Sequence, residues 1–212
     1  MLSSIIMMMA NKAKTLDFVA AGTMFSGASP TVTFPAGFAA GDLLVLCVCS
    51  GGDTTTPSGW TLPTGANRGS GTTRITTFYK IAAGSETSFT LGNSNSRTSG
   101  GMLAYRPVGG AASFVSMATN DGSGTVAATG SQTVTSLPML IVSVFCKAPN
   151  ATNIGEPALG PNPRLLGTAN GTLTNIRVVD DDRLALGASP SRAETASYSD
   201  VWLTNALLFT VS

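Results

Sequence analysis

The sequence predicts an all-β protein: a jelly-roll-like antiparallel β-sandwich with an extended or short helical N-terminal arm. Three observations predict it. Strand-like segments, alternating or continuously apolar, recur along the chain. Gly and Pro punctuate them at roughly 8–12-residue intervals, the spacing of sandwiches and barrels. No stretch carries the period of an amphipathic helix, and only residues 1–14 leave a short helix open.

The elements follow in order. Thr31–Pro35 (TVTFP) alternates and ends at a Pro-Ala-Gly turn. Asp42–Ser50 (DLLVLCVCS) is an almost unbroken apolar run, which suits a strand buried on both faces or a core strand of a sandwich. Ser58–Pro63 is short and aromatic. In Thr73–Ile81, Ile75, Thr77, Tyr79 and Ile81 face one way and Thr76, Phe78 and Lys80 the other. Thr87–Leu91 follows a Gly-Ser-Glu turn, and Gly101–Arg106 stops at Pro107, which cannot extend a central ladder. Thr119–Gly124 (TNDGSG) reads as a long surface loop and Thr125–Thr135 as a Thr/Val/Ala-rich strand region. Met139–Lys147 (MLIVSVFCK) is a second buried run. Arg164–Gly167, Ile176–Asp180 and Arg183–Leu186 read as short strands, and Asp200–Val211 as one long one. Leu44, Leu46, Val48, Phe78, Leu103, Ile141, Val144 and Leu207 are the expected core.

A weak internal repeat runs through this order. PAGFAAGDLLVLCVCSGG matches TSLPMLIVSVFCKAP in pattern, and SNSRTSGGMLAYRP matches ETASYSDVWLTNALLFTV. Neither half is expected to hide its apolar face alone. Interleaved in two sheets, the halves would share one core, as two Greek keys do in a jelly roll. The expected organisation is an arm and lead-in over residues 1–29 and a single sandwich over residues 30–212, because no linker composition divides the halves.

Composition narrows the function. Charged residues are 11% of the 212, with 12 Lys+Arg against 11 Asp+Glu and a net charge of +1. That argues against a polybasic nucleic-acid binder and against charge-driven disorder. Histidine is absent, which removes Ser-His and Cys-His pairs and His-ligated metals. No catalytic residue, cofactor or metal is expected.

Cys47 and Cys49 share a strand face, and Cys146 lies in the other buried run. Three buried thiols are the favoured reading. A Cys47–Cys146 or Cys49–Cys146 bridge is the alternative, disfavoured without a secretory context. The N-terminus MLSSIIMMMANKAK has an apolar stretch far short of the roughly 20 residues that span a bilayer. Its Lys12 and Lys14 follow that stretch, so a signal peptide is not expected. Leu2, Ile5, Ile6, Met7, Met8 and Met9 form a sticky patch with no place in the sandwich pattern, and are expected to bind a partner, the alternative being that the arm folds back onto its own sandwich.

Several motifs have a physical reading of their own. In Gly41-Asp42 the carboxylate is placed to accept bonds from turn amides. Gly59 lets Trp60 turn into the sandwich end, and Tyr79 and Tyr105 are expected to be buried rings with polar tips at the sheet margin. Their order is Phe34–Gly37, Gly41–Leu44, Pro57–Leu62, Thr77–Ala82, Ser85–Leu91 and Ala104–Pro107. This order resembles a broad group of tailed-bacteriophage virion proteins with a jelly-roll-like sandwich: head decoration (cement), head-fibre and tail-associated proteins. The resemblance is clearest over residues 30–107. It implies a structural protein on the capsid exterior or tail that binds and reinforces the outer shell. The implied partners are further copies of itself, most plausibly in a trimer, and the major capsid protein or another virion protein. Neither nucleic acid nor membrane is among them. The alternative is a receptor- or glycan-binding head- or tail-fibre module, which would be expected to display exposed aromatics on loops.

Asp180-Asp181-Asp182 is the only carboxylate cluster. A solvated turn is the favoured reading and a Ca²⁺ loop the alternative, though the DxDxDG spacing is missing. Gly65–Gly71 lacks the GK[ST] of a phosphate loop and reads as a hairpin or loop tip. Arg68, Arg74, Arg97 and Arg106 form no basic stripe. Asn150-Ala-Thr152 and Asn170-Gly-Thr172 match the glycosylation pattern, which a bacterial-virus origin would make irrelevant.

Overall fold

The computed structural model describes residues 14–93, 95–147, 163–168, 175–182, 186–189 and 191–212. The expected arm (Leu2, Ile5, Ile6, Met7, Met8 and Met9), both Asn-X-Thr sites and most of Arg183–Leu186 lie outside the described residues. The described residues are all β, antiparallel throughout and without a helix.

The first half contains β1 (Thr15–Ala21), β2 (Phe25–Ser26), β3 (Thr31–Val32), β4 (Leu43–Ser50), β5 (Asn67–Ser70), β6 (Thr73–Ile81), β7 (Phe89–Thr90) and β8 (Ser99–Val108). The second contains β9 (Ala112–Ala128), β10 (Thr133–Val134), β11 (Met139–Lys147), β12 (Pro163–Thr168), β13 (Asn175–Asp181), β14 (Gly187–Ala188) and β15 (Ala193–Val211). Sheet 1 has the order β1-β8-β4-β6-β5, with β2 also on β8. Sheet 2 has the order β12-β13-β11-β15-β9. The pairs β3–β7 and β10–β14 are separate ladders.

The halves are therefore not interleaved, as the repeat had suggested. Each builds its own sheet, and the two sheets stack. Pairing within a half closes shorter loops than pairing across halves, which favours this arrangement entropically. The lead-in expected before residue 30 contributes β1 and β2, so sheet 1 begins at Thr15.

The two sheets are copies of one plan. In each, the last strand returns between the first and second, and the third and fourth extend the other side. In each, a short ladder joins the segment before the second strand to the segment before the last. The details match too. The first strand bulges at Val19 against β8 and at Val115 against β15, each time just after a Phe. Phe18 meets Tyr105 edge-on at 5.7 Å, and Phe114 meets Phe209 edge-on at 5.8 Å. Leu43, Val45, Cys47 and Cys49 correspond to Leu140, Val142, Val144 and Cys146, all in the core between the sheets. β1 lies over β12, where the Arg164 guanidinium sits 3.8 Å from the Phe18 ring centre. β9 lies by β5, where Asp121 pairs with Arg68. These matched side-chain contacts, with β12 packed on β8 and β5 on β15, are the signature of a pseudo-twofold axis.

Corresponding cysteines meet across that axis. Cys49 and Cys146 form a disulfide with their Cα atoms 5.5 Å apart, while Cys47 stays a buried thiol. The favoured expectation of three free thiols is corrected by this bridge. Parity put Cys47 and Cys49 on one face, but only the stacking of the sheets selects between them.

All eight expected core residues are buried, in three layers. Leu103, Val144 and Leu207 lie between the sheets. Leu44, Leu46, Val48 and Phe78 face away from sheet 2, under a cover that includes Val32, Trp60 and Leu91. Ile141 lies on the far face of sheet 2 with Val134 and Leu208. β4 is thus buried on both faces, the first of the two readings its apolar run allows.

Three further expectations are corrected. Thr119–Gly124 is no loop but the middle of β9, paired residue by residue with β15. β9 then curls: Asn120 Nδ2 donates to the Ala128 carbonyl at 3.1 Å, and Ala127 packs with Phe145, Val179 and Trp202. β8 continues through Pro107 to Val108. Past Tyr105 it has only β1 as a neighbour, so the missing amide costs no second ladder. The Tyr105 hydroxyl does not reach a margin; it is buried and faces Asp180 of β13.

Candidate functional site

Outside sheet 1 a groove brings aromatic and polar side chains together. Its volume is about 320 Å³, and it is lined by Phe34, Trp60, Phe89, Lys80, Glu86 and hydroxyl-bearing neighbours Ser58, Thr87 and Thr90. Four segments build it. Gly59, at φ +75°, makes the turn that presents Trp60. Lys80 comes from the outward face of β6, as the alternation of Thr73–Ile81 predicts. Gly84, at φ +84°, turns the chain so that Glu86 folds back onto it. Phe89 stands opposite Val32 in the β3–β7 ladder, and Phe34 follows β3 by two residues.

The rings form a chain of contacts. Trp60 and Phe89 have centres 6.2 Å apart, and Phe89 and Phe34 6.0 Å. Trp60 is buried, while Phe34 and Phe89 are half-buried. The charged pair beside them is tightly held. Lys80 Nζ lies 2.9 Å from Glu86 Oε1 and 5.9 Å from the Trp60 ring centre. The Ala83 and Gly84 amides donate to Glu86 at 2.6 and 2.8 Å. Burial alone would raise the Glu86 carboxyl. The bond from Lys80 and the backbone amides outweigh it and lower the pKa to about 2. Glu86 is therefore a fixed, ionised acceptor at neutral pH.

The other candidates resolve into structure. Asp180 and Asp181 lie in β13 and are buried, not in a solvated turn. Asp180 accepts from Arg164 Nε at 2.7 Å, and Asp181 pairs with Arg192. Paired to arginines, they are not poised for Ca²⁺. Among the described residues, no group of three or more His, Cys, Asp or Glu side chains could hold a metal ion. Asp42 accepts from the Ala39 amide at 2.8 Å, as its turn position suggests, and also binds Arg106 at 2.9 and 2.8 Å. Within Gly65–Gly71, β5 forms a hairpin with β6. Arg68 and Arg74 pair with Asp121 and Asp53, so these arginines are dispersed among separate ion pairs. Among the described residues no helix is long and apolar enough to cross a membrane.

Phe34, Lys80, Glu86 and Phe89 were not singled out by sequence. The usable signal was aromatics set among Gly, Pro and Ser in PSGWTL and GSETSF, segments too short to be sheet strands. No family model, curated protein or solved structure matches the chain.

Proposed function

We propose that the protein is a structural component of a tailed-phage virion, a decoration protein that binds and reinforces the outer capsid shell. The resembled motif order is one support. The observation that carries the reading is the edge of sheet 2. β9 runs for 17 residues without Lys, Arg or Pro, and no described strand pairs with its outer side. Edges of that length are normally guarded by such residues or covered by a partner. Its own guards are two breaks in register, at Val115 and at Thr125, and Asp121. A surface low in charge resists close packing of copies less than an ordinary one.

On this reading the protein assembles with itself, as a trimer, and sits on the capsid exterior or tail with the major capsid protein or another virion protein. The finer fold assignment is a jelly-roll-like sandwich, supported by two stacked antiparallel sheets whose strands skip neighbours in sequence. The arm residues Leu2, Ile5, Ile6, Met7, Met8 and Met9 supply attachment, since burying such side chains contributes roughly 1.5–3 kcal/mol each before ordering costs. The test is retention on purified particles after deletion of residues 2–10. The expected result is a folded protein that no longer stays on the shell. Undiminished decoration would reject arm attachment, and absence of the intact chain from purified particles would reject the virion reading itself.

A further inference from the structure

We propose that the groove of Phe34, Trp60, Phe89, Lys80 and Glu86 binds a neutral saccharide of one or two rings. The proposal goes beyond shell attachment and does not depend on it.

The duplicated fold supplies an internal control. Both halves close the same short ladder. In the first, Val32 pairs with Phe89; in the second, the equally buried Val134 pairs with Gly187. The segment after the ladder strand reads TVTFP in the first half and TVTSLP in the second, which puts Ser136, counted from the ladder, or Leu137, counted back from the proline, where the first half has Phe34, and neither is aromatic. The ladder thus forms without either ring. The ladder does not demand Phe34 or Phe89, and those two rings are present on one copy only, whereas Trp60 also covers the core of sheet 1.

The chemistry of the walls selects the ligand class. The C–H faces of a sugar ring are apolar and pack against aromatic rings. Its hydroxyls need both donors and acceptors, and the groove offers both. Glu86 accepts, Lys80 donates, and Ser58, Thr87 and Thr90 do either. Lys80 and Glu86 cancel each other, so the groove carries no net charge. An anion would meet the Glu86 carboxylate and a cation the Lys80 ammonium, so the groove favours neither sign. A wholly apolar ligand would cover the ion pair without replacing its water. The volume, about 320 Å³, is at the small end for ligand sites, which suits one or two rings.

The test is saturation-transfer-difference NMR of the full chain with maltose, cellobiose, lactose and 6′-sialyllactose. Phe34→Ser/Phe89→Gly rebuilds the second half's ladder in the first. Circular dichroism and melting establish that the variant is folded. The expected result is transfer to at least one neutral disaccharide at about 20 mM, weakened at least ~10-fold in the variant, with no gain from the sialic acid. Should the double variant fail to fold, Glu86→Gln, which removes the fixed charge, carries the same expectation of weakened transfer. The proposal is overturned by no transfer to any neutral disaccharide. It is equally overturned by transfer unchanged in folded variants, or by binding confined to the sialylated sugar. None of these outcomes bears on particle attachment, which deletion of residues 2–10 reads separately.

Discussion

Cys49 and Cys146 hold corresponding places in the two copies, and their bond joins the sheets near the pseudo-twofold axis. It closes a loop of 97 residues, so replacing either by Ala should cost about 2–4 kcal/mol in non-reducing denaturant unfolding. The double replacement should cost no more than a single one. A clear further loss would mean that the two do not act as a pair. Cys47, one position inward on the same face, is wholly buried, and burial pushes its thiol far above the ordinary range. Iodoacetamide should label it only after denaturation. Glu86 gives a pH prediction. Its carboxyl falls from an ordinary 4.5 to about 2 in the folded protein, so the unfolded chain takes up the proton first as pH drops. Its stabilisation is complete above about pH 5 and fades between pH 4.5 and 2. Melting across that range should show less acid sensitivity in Glu86→Gln than in the parent. At this scale the sequence was half legible. Parity placed Cys47 and Cys49 on the core side, but the choice between them depends on a register between sheets that no local pattern encodes.

Among the elements, the long apolar runs were legible and the polar strand was not. β4, β6 and β11 follow from continuous or alternating apolar residues. β9 was hidden because Asn120, Asp121, Gly122 and Gly124 carry turn propensity. Pairing with β15 along its length overrides that propensity, as context commonly does in sheets. The duplicated plan predicts matched roles for β1 and β9. Phe18→Ala and Phe114→Ala should each cost about 2–4 kcal/mol, since each removes a half-buried ring from the inter-sheet core and its edge-on partner. Thermal melts of the two variants check this, and a neutral result for either would break the correspondence. Where the copies differ, packing still matches. Tyr79 of β6 stacks on Phe114 at 5.2 Å, whereas β13 has Asp180 in the corresponding place. There the Arg164 guanidinium held by Asp180 covers Phe18 in place of a ring. Asp180→Ala should therefore destabilise through a loosened Arg164 and an uncovered Phe18, and Asp180→Asn should do so less.

For the whole molecule, the repeat was legible as two half-units that cannot stand alone, but its spatial form was not. Two similar sequences can share a core by mixing strands or by stacking sheets, and the apolar pattern is alike for both. Stacking has a consequence for stability. Each half leaves its inner face, including Leu103 and Tyr105 or Leu207 and Phe209, bare without the other. The parent should unfold in one cooperative transition, and residues 14–108 or 112–212 expressed alone should fail to fold. Two separate transitions in calorimetry would contradict a shared core. The most direct measurement of where this duplicated body works is a cryo-electron-microscopy reconstruction of the phage particle proposed to carry the protein. The account predicts density for the two stacked sheets on the outer surface of the shell, with β9 against a neighbouring copy. A particle whose purified form contains the chain nowhere on its surface would contradict it.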